Sequence, residues 1–221
     1  MADLVLVPGE SVQIVLERPE RALVICFGVG STLHAASLHP SIKALEIADL
    51  SRHVLEQADL FAESNGGVLR DPRTSVFVDD GRHRLATQPE GAYDLITLEP
   101  PPIAFAGVSS LYSREFYALG RSRLKAGGYL TQWLPGYQVP ADAVLSMIRA
   151  FVDVFPASVL LSGDDNELIL MGVNGPSITL DIDALERRIG ERPAVRAELE
   201  RIDLGALTEI AGMFAGSAEA L

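Results

Sequence analysis

Short runs of valine, leucine, isoleucine and alanine alternate along this chain with longer stretches in which apolar side chains return every three or four positions. A continuous apolar run of strand length predicts a strand buried on both faces, whereas the wider spacing predicts an amphipathic helix. Arg21 to Phe27 (RALVICF) is such a run, bounded by a charged segment and by Gly28. A short helix over 31–38 follows, then a strand at IKALEI (42–47) with Glu46 at its close. Asp49 is placed to cap a helix that stops at Asn65-Gly66-Gly67. Further strands are expected at TSVFVDD (74–80), AYDLITLE (92–99) and GGYLTQWL (127–134). A helix from Leu111 precedes the last of these, and another runs from Pro140 to Phe155-Pro156. SVLLSG and ELILMGV, joined by Asp164-Asp165-Asn166, read as a hairpin.

Strands alternating with helices imply a parallel sheet covered on both faces, with the hairpin as an antiparallel addition. The α/β unit spans 20–175. A strand stub precedes it at 1–19 (DLVLV, SVQIVLE), and a helical tail follows at 176–221, with apolar spacing at Ile182, Leu185, Ile189, Val195, Leu199 and Ile202.

Composition narrows the function. Of 221 residues 48% are apolar, enough for a full core, and the net charge is -12. No basic stripe offers itself to phosphates, so a nucleic-acid partner is not expected, while a cationic or neutral small substrate suits the field. No signal pattern or membrane-length apolar run is visible, and a cytoplasmic location is expected. The single cysteine, Cys26, reads as a small buried hydrophobe in a reducing compartment.

Chemistry concentrates where the strands end. Ligands of open α/β sheets bind beyond the carboxyl ends of the strands. There stand the glycine turn Gly28-Val29-Gly30, then Glu46, then Asp79-Asp80-Gly81, and finally Glu99. An acid in the position of Glu46 can accept from both hydroxyls of a ribose, and Asp79 or Asp80 can read an adenine amino group. Each has a plainer reading: G-x-G often serves only a tight turn, and Asp79-Asp80-Gly81 is also an ordinary helix cap. Leu33 stands where a dinucleotide fingerprint has its third glycine, which favours a nucleoside ligand without a pyrophosphate. Tyr112 and Gln132 are candidates for substrate contact, and Tyr117, Phe116 and Trp133 for core packing. His34, His39, His53 and His83 lack metal-ligand spacing, so no metal is expected. Ser109 and Ser110 have no hydrolase signature around them.

LHPSIKALEI, NGGVLRDPRTSVFVDDGR, YDLI, LYSREFY and LKAGGYLTQWL resemble the spermidine/spermine synthase (aminopropyltransferase) family over roughly residues 20–173. The resemblance implies a Rossmann-like class I methyltransferase fold, a mostly parallel seven-stranded sheet with a terminal antiparallel hairpin. It implies S-adenosylmethionine or its decarboxylated form as co-substrate, a small amine acceptor, and a possible homodimer. Gly28 and Gly30 would line the methionine-derived part of the donor, Glu46 the ribose, and Asp80 the adenine. Glu99 would be the acid that deprotonates the attacking amine.

The chain departs from that pattern at two points. The family's G-G-G-D-G-G turn is here Cys26-Phe27-Gly28-Val29-Gly30-Ser31, with valine in place of the aspartate. Its D-S-S-D-P loop is here Glu99-Pro100-Pro101-Pro102, so the second loop acid is missing. Two alternatives stand beside aminopropyl transfer. One is a small-molecule methyltransferase on the same site, and the other is a silent relative acting as a dimeric binding or sensing protein.

Overall fold

The computed structural model describes residues 3–7, 11–16, 18–163, 167–178 and 182–220. β1 (Asp3–Val7) and β2 (Ser11–Leu16) pair antiparallel as a separate ribbon. The main sheet holds β3 (Arg21–Ile25), β4 (Ala44–Asp49), β5 (Thr74–Val78), β6 (Tyr93–Leu98), β7 (Leu124–Leu134), β8 (Ser158–Ser162), β9 (Leu168–Val173) and β10 (Phe214–Ser217). Their spatial order is β10-β8-β9-β7-β6-β3-β4-β5. β3 to β7 run parallel, and β9, β8 and β10 add antiparallel pairings at one side.

Both faces are covered, as the unbroken apolar strands require. On one face Leu45, Ile47 and Ile169 pack with Leu33 of α1 (Ser31–Ser37), Leu55 of α2 (Arg52–Glu56), and Val68 in the loop past α3 (Ala62–Asn65). On the other, Leu23, Ile25, Ile96 and Leu130 pack with Leu85 of α4 (Gly81–Ala86), Phe116 and Tyr117 of α5 (Arg114–Arg123), and Phe151 of α6 (Ala141–Val152). Tyr117 and Phe151 meet edge-on with ring centroids 4.9 Å apart, the geometry that aromatic quadrupoles favour.

Several boundaries differ from the sequence reading: the helix expected from Leu111 begins at Arg114, β7 begins at Leu124 instead of Gly127, and the others lie around β4. β4 runs on to Asp49, so Glu46 lies within the strand instead of closing it. Asp49 is therefore a strand end, and the helix cap is Ser51, whose hydroxyl accepts from Val54 N at 3.3 Å. The segment after it is broken: a 3-10 turn at Ala58–Phe61 separates α2 from α3, and Asn65 reaches back to donate to Ala58 O at 2.8 Å. The turn expected at Asp164-Asp165-Asn166 lies outside the described residues.

The C-terminal segment folds as α7 (Ile182–Gly190), α8 (Pro193–Arg201) and α9 (Leu207–Gly212) before β10. Leu185, Ile189, Val195, Leu199 and Ile210 join the same core as β8 and β9. β10 then supplies an eighth strand, pairing antiparallel with β8. An exposed appendage would have had no reason to carry those buried positions.

Candidate active site

The chain leaves β3 for β4 and β5 on one side, then returns to place β6 on the other side of β3. Crossover helices therefore diverge between β3 and β6, and the gap beyond these strand ends is the expected ligand position in such sheets. A cavity of about 550 Å³ lies there, within the size range of small-molecule sites. Its wall carries Ile25, Cys26 and Gly28 at the end of β3, Asp49 and Ser51 at the end of β4, Asp79 to Gly81 after β5, and Glu99 after β6. Pro101, Phe105 to Val108 and Leu111 close one side with apolar surface.

Local geometry explains several of these positions. Gly28 turns with φ 55°, and a Cβ there would meet nothing within 4 Å, so backbone conformation alone favours glycine. Gly30 lies outside the cavity, at the start of α1; a Cβ on it would strike the Phe27 ring at 2.4 Å. The glycine expected to line the ligand instead lets Phe27 pack under the turn. Gly81 does line the cavity, and a Cβ there would strike Ile25 at 2.3 Å.

Asp80 caps α4, its carboxylate accepting from Arg82 N at 2.8 Å and His83 N at 3.0 Å. Asp79 accepts from His83 at 2.9 Å, and that hydrogen bond holds its carboxyl below the usual range. Glu99 accepts from the Thr32 hydroxyl of α1 at 2.6 Å, which orients Oε1 at the cavity edge.

Glu46 is not at this site. It is 5% exposed, and its carboxylate accepts from Arg84 at 2.6 Å, from Tyr93 at 2.9 Å and from Arg21 at 2.7 Å. Burial alone would raise its pKa, but the bonds from Arg84, Arg21 and Tyr93 outweigh that and hold it lowered. The acid facing the cavity from β4 is Asp49, three positions on, which accepts from Phe27 N and Ser51 N at 2.7 Å each. Side chains alternate between faces along a strand, so Glu46 and Asp49 point to opposite sides of the sheet. The helix cap at Ser51 is the sequence signal that the strand reaches Asp49.

Tyr112 and Gln132 also lie outside the cavity wall, buried behind Leu111 and beside Leu98 respectively. The Gln132 side chain lies near the Tyr112 hydroxyl and opposes in part what burial does to it. Burial pushes the Tyr112 hydroxyl's pKa up.

Cys26 packs half-buried against the core, as its apolar run suggests, and also lines the cavity wall. Its φ of 70° is a left-handed conformation that costs a side chain energy, and its N–H still reaches Ala48 O at 2.9 Å. Burial, then the charges of Asp49, Asp80 and Glu99, push its thiol up to about 12. Among the described residues, no group of three or more His, Cys, Asp or Glu side chains could hold a metal. No helix there is long and apolar enough to cross a membrane.

Comparison with known proteins agrees with this architecture. Residues 3–159 match the family described as the spermine/spermidine synthase domain. The polyamine aminopropyltransferase of Bacillus subtilis (strain 168) is 29% identical over 146 residues, covering 66% of this chain and 52% of its own. The chain thus spans about half the length of that relative. The crystal structure of spermidine synthase from Thermotoga maritima superimposes with a TM-score of 0.63 at 20% identity, over 72% of this chain and 55% of the other. Human methyltransferase-like protein 13, in complex with SAH, gives the same TM-score and identity over 82% of each chain. At such identities these two likenesses concern the fold.

Proposed function

Because the chain belongs to the spermine/spermidine synthase family, we propose that its cavity binds decarboxylated S-adenosylmethionine and that the protein transfers the aminopropyl group to a small amine. The charge of the lining carries this reading. Four carboxylates, from Asp49, Asp79, Asp80 and Glu99, face the cavity, and among its described lining residues there is no Lys, Arg or His. A sulfonium and an ammonium are both cations, and fixed carboxylates among apolar walls attract them more strongly than water would allow. Intact S-adenosylmethionine carries a carboxylate that would meet only like charges. That favours the decarboxylated donor, and it counts against methyl transfer.

In this reading Asp49 takes the ribose. Its two oxygens each accept one backbone N–H and keep a further lone pair for a hydroxyl. Asp79 and Asp80 face the adenine, and Gly28 allows the ligand's close approach to the backbone. Glu99 is the base, with Thr32 as its positioning residue. An acceptor ammonium gives one proton to Glu99. The freed lone pair then attacks the carbon beside sulfur, the C–N bond forms as the C–S bond breaks, and methylthioadenosine leaves with the electron pair.

The test is release of methylthioadenosine from the decarboxylated donor in the presence of small amines. Turnover is expected from the wild type, with a loss of about a hundredfold or more in Glu99→Gln and little change in donor affinity. Unchanged turnover in Glu99→Gln excludes that residue as the base. Donor binding without turnover for any amine leaves the silent relative as the reading.

A further inference from the structure

Charge divides the cavity into two unlike halves. Asp49, Asp79 and Asp80 stand at the ends of β4 and β5, two and three places from β6 in the sheet order. Neighbouring strands lie about 4.8 Å apart, which sets the backbone of these acids roughly 10 Å or more from that of Glu99. Beyond Glu99 the wall changes character. From Pro100 to Ser113 the chain carries no charged residue, and this segment lines the cavity with Pro101, Phe105, Ala106, Gly107, Val108 and Leu111. Phe105 is 61% exposed, so its ring stands at the rim with one face open.

Backbone groups on that side add little polarity. Pro100, Pro101 and Pro102 have no N–H to donate. The carbonyls of Pro102 and Phe105 already accept from Phe105 N at 2.9 Å and Val108 N at 3.2 Å. Gly107 O accepts from both the amide and the hydroxyl of Ser110, at 3.1 and 2.7 Å. Glu167, which precedes β9 beside the end of β7, takes the Trp133 indole N–H and does not line the cavity.

Resting on the transfer reading of this cavity, we propose that the acceptor is a primary monoamine with an apolar alkyl or aryl body, and not a diamine. One ammonium meets one acid, Glu99, which Thr32 orients. The carbon body then lies along the Pro101 to Leu111 wall, where its own surface and that of Phe105 leave water together. A diamine would carry a second ammonium onto the same wall. There it would lose hydration and meet no carboxylate, and an unpaired charge is costly to bury. Asp49 offers it no alternative, because the ribose of the donor occupies that acid. In the transfer the monoamine nitrogen gives one proton to Glu99 and bonds to the aminopropyl carbon. The C–S electron pair leaves with methylthioadenosine, and the other product is a protonated N-substituted 1,3-diaminopropane.

Release of methylthioadenosine is compared for butylamine, 2-phenylethylamine and 1,4-diaminobutane at one pH. The expected kcat/KM for the two monoamines is about tenfold or more above that for the diamine. Phe105→Asp puts a carboxylate on the wall at an exposed position and is expected to reverse the order. An equal or greater kcat/KM for the diamine with the wild type overturns the proposal and leaves aminopropyl transfer standing. If no amine turns over, calorimetric titration of the same three amines into protein saturated with methylthioadenosine decides the two questions apart. Tighter binding of the monoamines supports the apolar-amine assignment while the transfer reading falls. Binding of the diamine as tight as that of the monoamines, or no binding of any amine, overturns the proposal.

Discussion

Glu46 and Asp49 stand on one strand and meet opposite environments, and each environment decides a use. Glu46 is closed in by two guanidinium groups and a phenol. Glu46→Gln would leave Arg21 and Arg84 facing a neutral amide. Breaking a pair of this kind costs about 3 kcal/mol, which urea denaturation would show as a lower midpoint with cavity-ligand affinity unchanged. The acid limb follows with its sign fixed. The folded-state pKa of Glu46 is lowered from 4.5, so its contribution is present above that value and is lost as pH falls through the lower, folded one. A Glu46→Gln variant should therefore lose less of its remaining stability between neutral pH and acid than the wild type does. Cys26 gives a second test at this scale. A thiol pushed up to about 12 is nearly all protonated at pH 8, so iodoacetamide should label it roughly a thousandfold more slowly than a free cysteine. Cys26→Gly, by removing a side chain from a left-handed backbone, should raise stability by up to about 1 kcal/mol.

Elements are the most legible level of this chain, and their ends the least. β3, β4 and β6 to β9 follow from apolar runs that two-sided burial explains, β5 from its β-branched run at the sheet edge, and helices α1, α5 and α6 from their spacing. Glu46 is misplaced by a strand boundary drawn at the last large aliphatic. Ala48 is small enough to be overlooked, yet it is buried and carries the strand on to Asp49. Gly30, Tyr112 and Gln132 are legible as unusual residues but not as packing residues, since the Phe27 ring and the rear of the cavity come from distant segments. The tail shows the same limit. Its helical spacing is visible, whereas its docking onto β8 and β9 depends on tertiary contacts. Leu199 is 1% exposed in that shared core, so Leu199→Ala should cost about 3 kcal/mol and lower the single melting transition of the whole domain. A tail folding on its own would leave the main transition where it was.

At the scale of the molecule, the switch in strand order and the acidic balance act together. The topology brings four carboxylates from successive strand ends to one apolar-walled cavity, and the net charge of -12 extends the same sign outward. Such a field raises the local concentration of cations and weakens with ionic strength. Isothermal titration with decarboxylated S-adenosylmethionine, run beside intact S-adenosylmethionine at two salt concentrations, measures this most directly. The expected result is tighter binding of the decarboxylated form, with affinity falling as salt rises and falling again in Asp49→Asn. Equal or preferred binding of the intact, carboxylate-bearing form, or no binding of either, would contradict the account.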